Sequence, residues 1–131
     1  MSKASGTFSV VSGGETTIRQ AAGEVRLTHV TGRQRFEGDV VGDGTVEWLF
    51  CYSVDRTARF VGFQRIEGSI GGRSGSVTLE SVGDHDGRGS KGTWRIVPGS
   101  GTGELAGISG QGRFDAPGGP VVSYELDYEL S

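Results

Sequence analysis

β-Branched and aromatic residues alternate with polar ones through most of this chain, and the alternating stretches are cut off by Gly pairs or Asp-Gly steps. A period of two places successive side chains on opposite faces of an extended strand, so the pattern specifies an all-β chain and leaves helix almost no foothold. The spacing predicts eight strands, roughly 4–11, 25–41, 45–54, 57–70, 73–82, 88–98, 109–116 and 121–130, with one short helical turn at Thr102–Gly107. At 131 residues the chain is read as a single domain, 1–131.

Gly71-Gly72, Asp43-Gly44 and Asp86-Gly87 read as two-residue hairpins, because their residue types tolerate the positive φ that type I′ turns require. Asp55-Arg56 reads as a fourth. Consecutive hairpins make a meander, and eight meandering strands with no covering helix remove their unpaired edges best by closing on themselves. The expected fold is therefore an eight-stranded antiparallel meander barrel.

These turns also fix cross-strand registers. They gather Phe36, Val40, Glu47, Leu49, Cys51, Phe60, Gln64, Ile66, Val77, Leu79, Ser81, Trp94 and Ile96 on one largely apolar face, expected inside. Glu47 falls opposite Gln64, a carboxylate facing an amide on an apolar wall, where burial would raise the acid's pKa and suit it to donate a proton. Trp48, Phe50, Tyr52, Val61 and Phe63 fall on the other face. An exposed aromatic patch of that extent points to a homodimer.

Composition removes other classes of function. With 13 Lys and Arg against 16 Asp and Glu, the net charge is −3 and there is no basic excess for phosphate contacts, so nucleic acid is not an expected partner. Hydrophobic runs are too short for a membrane helix. The single cysteine, Cys51, and an N-terminus without a leader pattern make the cytoplasm the expected compartment. Glycine supplies 25 of 131 residues, against a usual share of about 7%, which suggests tight strand crossing more than a wide cavity.

Other motifs lose to structural readings. Gly87-Arg88-Gly89-Ser90-Lys91-Gly92 has dinucleotide-fingerprint spacing but leads into a strand, where the fingerprint needs a helix. Asp84-His85-Asp86-Gly87 begins like a calcium loop, yet Arg88 and Arg95 occupy its later ligand positions. His29 and His85 have no acid spacing that makes a metal site or a triad, so no metal and no cofactor is expected. Cys51 and Ser81 lack an adjacent base other than Glu47. Gly99–Gly103 could cradle an anion, but reads as a corner in which Thr102 caps the helical turn and Leu105 plugs one end of the barrel.

The run Phe60-Val61-Gly62, then Gly68 through Ser76, then Val97-Pro98-Gly99-Ser100-Gly101-Thr102-Gly103-Glu104-Leu105-Ala106-Gly107, resembles a bacterial family of domains of unknown function related to the allene oxide cyclase-like barrels. Phe36-Glu37-Gly38-Asp39 and Leu126-Asp127-Tyr128 extend the resemblance over most of the chain. Gln64 departs from it where an acid would stand, and Arg56 departs where the Gly of an Asp-Gly turn would. The resemblance implies a small closed barrel with a ligand-sized lumen, a fold that hosts cyclases and isomerases of oxygenated substrates. The functional expectation is a barrel that encloses a small apolar or amphipathic molecule and isomerises or cyclises it without a cofactor. Glu47 and Gln64 would steer the polar end, and Phe36, Leu49, Cys51, Phe60, Leu79, Ser81 and Trp94 would line the site. The rival is a non-catalytic binding or self-associating barrel with a filled core.

Overall fold

Strand pairing runs in chain order and then closes. In the computed structural model, which describes residues 1–130, the strands are β1 Ser2–Arg19, β2 Arg26–Gly38, β3 Val40–Tyr52, β4 Ala58–Ile70, β5 Arg73–His85, β6 Ser90–Ile96, β7 Ile108–Ala116 and β8 Val121–Leu130. Every neighbouring pair is antiparallel, and β8 returns to pair with β1, giving the closed eight-stranded barrel that the alternation predicts. A single 3-10 turn covers Gly103–Leu105.

Gly71-Gly72 is the expected two-residue hairpin: Ile70 pairs with Arg73, and the two φ angles are 58° and 84°. Asp43-Gly44 is not a turn. It lies inside β3, and the reversal comes at Gly38-Asp39, where Phe36 pairs with Gly42. Asp39 takes the Ser5 N–H on its carboxylate (2.9 Å) and donates its own N–H to the Ser5 carbonyl (2.9 Å). The Tyr124 hydroxyl accepts from Val40 N–H (3.0 Å) and donates to the Glu37 carbonyl (2.8 Å), so the turn is tied to β1 and β8. The β3–β4 connection is the five-residue loop 53–57 and the β5–β6 connection is the four-residue loop 86–89.

Displacing a reversal by an odd number of steps turns the following strand over. The first displacement inverts β3, and the second, at the β3–β4 loop, restores the expected facing from β4 onward. Glu47, Leu49 and Cys51 therefore face outward, while Trp48, Phe50 and Tyr52 face in. Trp48 pairs with Gly62 and sends its indole N–H to the buried Ser81 hydroxyl. The expected aromatic patch loses three of its five members. What stays exposed is a cross-strand row, Leu49, Val61 and Val82, with Phe63 beside it.

The interior is occupied by rings. Phe8 stacks on Trp94 at 5.7 Å and packs on Phe36 at 4.9 Å, and Trp94 in turn lies 5.5 Å from Phe114 and 5.7 Å from Tyr124. Glycine makes this possible. Across the ladders Phe60 faces Gly83, Gly92 faces Phe114, Trp94 faces Gly112 and Tyr124 faces Gly6. A Cβ on Gly83 would stand 2.3 Å from the tip of the Phe60 ring, so only glycine lets the ring lie on its neighbour's backbone.

One end of the barrel is shut. β6 pairs only with residues 79–85 of β5, which would leave the first half of β5 as an open edge. Residues 97–105 run along it as a substitute strand. Ser76 N–H donates to Thr102 Oγ1 (3.0 Å), Thr78 N–H to Ser100 Oγ (3.1 Å) and Ser74 N–H to a Glu104 carboxylate oxygen (3.0 Å). Thr102 stands at the N-cap of the 3-10 turn, but its hydroxyl serves β5 and makes no cap bond. Leu105, 1% exposed, plugs this end as expected. The outer wall carries charged ladders such as Arg59–Asp84 (3.6 Å), so apolar groups face in and charges face out, the reverse of a barrel that meets lipid.

Candidate functional site

Gln64, Phe36, Phe60, Leu79, Ser81 and Trp94 lie inside, as expected, but the acid meant to join them does not. Glu47 is 64% exposed and its carboxylate lies 3.1 Å from His29 Nε2 on the outer wall. Its ladder partner is Phe63, and Gln64 faces Val46 instead. Leu49 is 44% exposed, and Cys51 shares its outward face. A proton-transfer pair on the barrel wall is thereby removed, together with two of the expected lining residues.

What Gln64 does is organise a core amide network. An indole N–H can only donate, so Trp94 Nε1 (2.8 Å) fixes Gln64 Oε1 as the acceptor, and the Ser81 hydroxyl joins it at 2.9 Å. Gln64 Nε2 must then donate, and does so to Gln34 Oε1 at 2.8 Å. That orientation turns the Gln34 amide nitrogen away, and this fully buried donor has no partner. The network specifies the core without presenting an acid or base.

The opposite end of the barrel is open. Here β1 and β2 run on past β8, which pairs with β1 only as far as Ser9, and inward side chains of β3 and β4 form a stack of rings. Phe50 lies on Phe60 at 4.7 Å and 16°, and Tyr52 lies on Phe50 at 5.7 Å and 25°. Arg26 covers the Tyr52 ring, its guanidinium 5.4 Å from the ring centre, a favourable cation–π placement. The Tyr52 hydroxyl and Thr28 Oγ1 each donate to one Glu15 oxygen at 2.7 Å.

These bonds set the protonation states. Burial pushes the Tyr52 phenol upward and its bond to the Glu15 carboxylate adds to this, raising it to about 12. For Glu15, burial acts upward, but hydrogen bonds from Tyr52 and Thr28 and the charge of Arg26 outweigh it and hold the acid below its ordinary value. Near neutrality Glu15 is a carboxylate and Tyr52 a phenol, and neither is poised to exchange a proton.

Around this cluster a depression of about 850 Å³ opens among the β1–β2, β3–β4 and β5–β6 connections, lined in part by Ala22, Arg26, Tyr52, Val54, Arg56 and His85. His85 is oriented by a 2.8 Å contact between Nδ1 and Ser90 Oγ. A second depression, about 900 Å³, crosses the outer wall between β4 and β1. Its charged residues include the cross-strand ion pairs Arg59–Asp84 and Arg113–Glu125, which is the arrangement of a solvated wall.

The mouth residues escaped sequence reading because they come from three strands and three loops. Arg56 alone carried a local signal, an Asp-Xaa turn with arginine where glycine fits best, and it is the one described non-glycine residue with positive φ, 70°.

A family model described as a protein of unknown function, DUF3224, matches residues 4–128. The chain belongs to the DUF3224 family. Among solved structures, a DUF3224 protein of unknown function from Shewanella oneidensis MR-1 is similar over 100% of this chain and 98% of that one, with a TM-score of 0.80 and 24% identity. At that identity the likeness shows the fold, and a DUF3224 barrel brings no activity with it. No curated protein matches the chain.

Proposed function

We infer that this DUF3224 protein is a binding barrel that holds a small, partly apolar organic molecule at its open mouth and leaves it chemically unchanged. The observation that carries this reading is the contrast between a core filled by rings and a depression of about 850 Å³ at the mouth, within the size range of small-ligand sites. Ala21, Ala22, Val54 and Tyr52 supply apolar lining, and Arg26 and His85 supply polar groups at the rim.

A cyclase or isomerase working in the lumen would need space among Phe36, Leu79 and Trp94 and an acid or base beside it. Those side chains are packed into the core, Glu47 is outside, and Glu15 is engaged as a hydrogen-bonded carboxylate. Binding without chemistry asks for none of these.

The test is a fluorescence titration with the neutral dye N-phenyl-1-naphthylamine, followed by soaking the dye into crystals. The expected result is saturable binding of one dye per chain, with density between Tyr52, Val54 and His85. Density among Phe36 and Trp94, or no saturable binding, overturns the reading.

A further inference from the structure

Every carboxylate around the mouth already has partners. Glu15 accepts from Tyr52 and Thr28. Glu24 lies 3.9 Å from Arg19. Asp55 Oδ1 accepts from Thr57 N–H and Thr57 Oγ1, and Asp86 Oδ1 accepts from the N–H groups of Arg88 and Gly89, so both acids are spent on their own loops. Arg56 is in the opposite state. It makes no side-chain hydrogen bond and no ion pair among the described residues, whereas Arg26 donates to the neutral Thr17 hydroxyl, covers the Tyr52 ring and lends its charge to Glu15. Both arginines line the depression.

Arg56 also stands in the left-handed region at φ 70°, where glycine would sit without strain. A non-glycine residue held in that region beside a cavity directs attention to its side chain. Arginine's planar fork suits a carboxylate, sulfonate or phosphate oxygen pair.

We propose that the mouth selects organic anions, with Arg56 taking the acidic group beside Arg26 and with Ala22 and Val54 receiving the apolar body. This rests on the reading of the mouth as a binding site, and the two can fail separately. The Coulomb attraction of the unpaired Arg56 acts on the charged group of the ligand alone, so removing this cation must weaken a charged ligand while sparing a neutral one of the same shape.

The experiment compares N-phenyl-1-naphthylamine with its sulfonated relative 8-anilinonaphthalene-1-sulfonate on the wild-type protein and on Arg56→Gly and Arg56→Gln. Arg56→Gly relieves the backbone strain, so its melting temperature should hold or rise, and Arg56→Gln removes the charge with the wild-type backbone retained. Each variant should weaken the sulfonate about five-fold, near the upper end of what one partly exposed charge contributes, and shift the neutral dye by less than about two-fold. Equal effects on both dyes, or no effect on the sulfonate while the neutral dye still binds, overturn the anion selectivity and leave the mouth site standing. If neither dye binds the wild-type protein, the site itself is wrong and the selectivity falls with it.

Discussion

The two ends of the barrel use the same kinds of residue to opposite effect. At the shut end, the Tyr124 hydroxyl, the hydroxyls of Ser100 and Thr102 and the carboxylates of Asp39 and Glu104 all bond to backbone groups that strand pairing leaves over. At the open end, Tyr52, Thr28 and Glu15 bond to one another, and the loops around them satisfy their own acids. Side chains bonded to the backbone of a distant strand hold the fold together, whereas side chains bonded to one another or within their own loop leave a surface whose chemistry can vary without loss of the barrel.

That difference can be broken most sharply with apolar loop residues. Leu105→Ala, at the plug, should destabilise by about 3 kcal/mol through lost burial and a residual cavity. Val54→Ala, in the open loop at 78% exposure, should stay within about 0.5 kcal/mol of wild type. Urea unfolding of both variants decides it, and equal losses would mean that the mouth loop is as integral as the plug.

A smaller effect compares the tyrosines. Tyr124→Phe leaves the Val40 N–H and Glu37 carbonyl without their partner and should cost about 2 kcal/mol, because a buried orphaned donor carries its whole desolvation penalty. Tyr52→Phe deletes a bond to an accessible carboxylate and should cost about 0.5 kcal/mol. It should also remove a phenol that ionises near pH 12 from the ultraviolet titration curve.

The smallest effect is in acid. Glu15 has a folded-state pKa below its unfolded value, so its contribution is fully present above the unfolded pKa and disappears as pH falls through the folded one. Glu15→Gln should flatten that part of the stability profile below about pH 4.5, by a few tenths of a kcal/mol once solvent screening of this exposed site is allowed for. An unchanged acid limb would show that the bonds from Tyr52 and Thr28 do not persist in solution.

Strand number, closure and the inward facing of all seven expected interior residues from Phe60 to Trp94 were legible because alternation is a local property of the chain. The reversal at Asp39 was not. It is fixed by Ser5 and Tyr124, which are distant in sequence, whereas Asp43-Gly44 offers turn residues that the fold uses differently: a Cβ on Gly44 would stand 2.8 Å from the Phe36 ring. One residue type serves as hinge in one place and as clearance in another, and only the partner across the sheet tells them apart. The mouth was hidden for a related reason. Residues 12–19 alternate too weakly to announce the end of β1, so Glu15 had no strand to stand on, and the inversion of β3 turned Tyr52 the wrong way.

The pairing of rings with glycines has a consequence for how such a chain can vary. Phe60 and Gly83, or Phe114 and Gly92, fit as lock and key, and a Cβ added to either glycine meets a ring tip within 2.5 Å. A larger residue at the glycine is tolerated only if the ring shrinks, and a smaller ring opens a hole unless the glycine gains bulk. Neither position drifts by itself. Divergence among barrels built this way should proceed through coupled exchanges across the ladder, with the sum of the two volumes held nearly constant while the individual residues change.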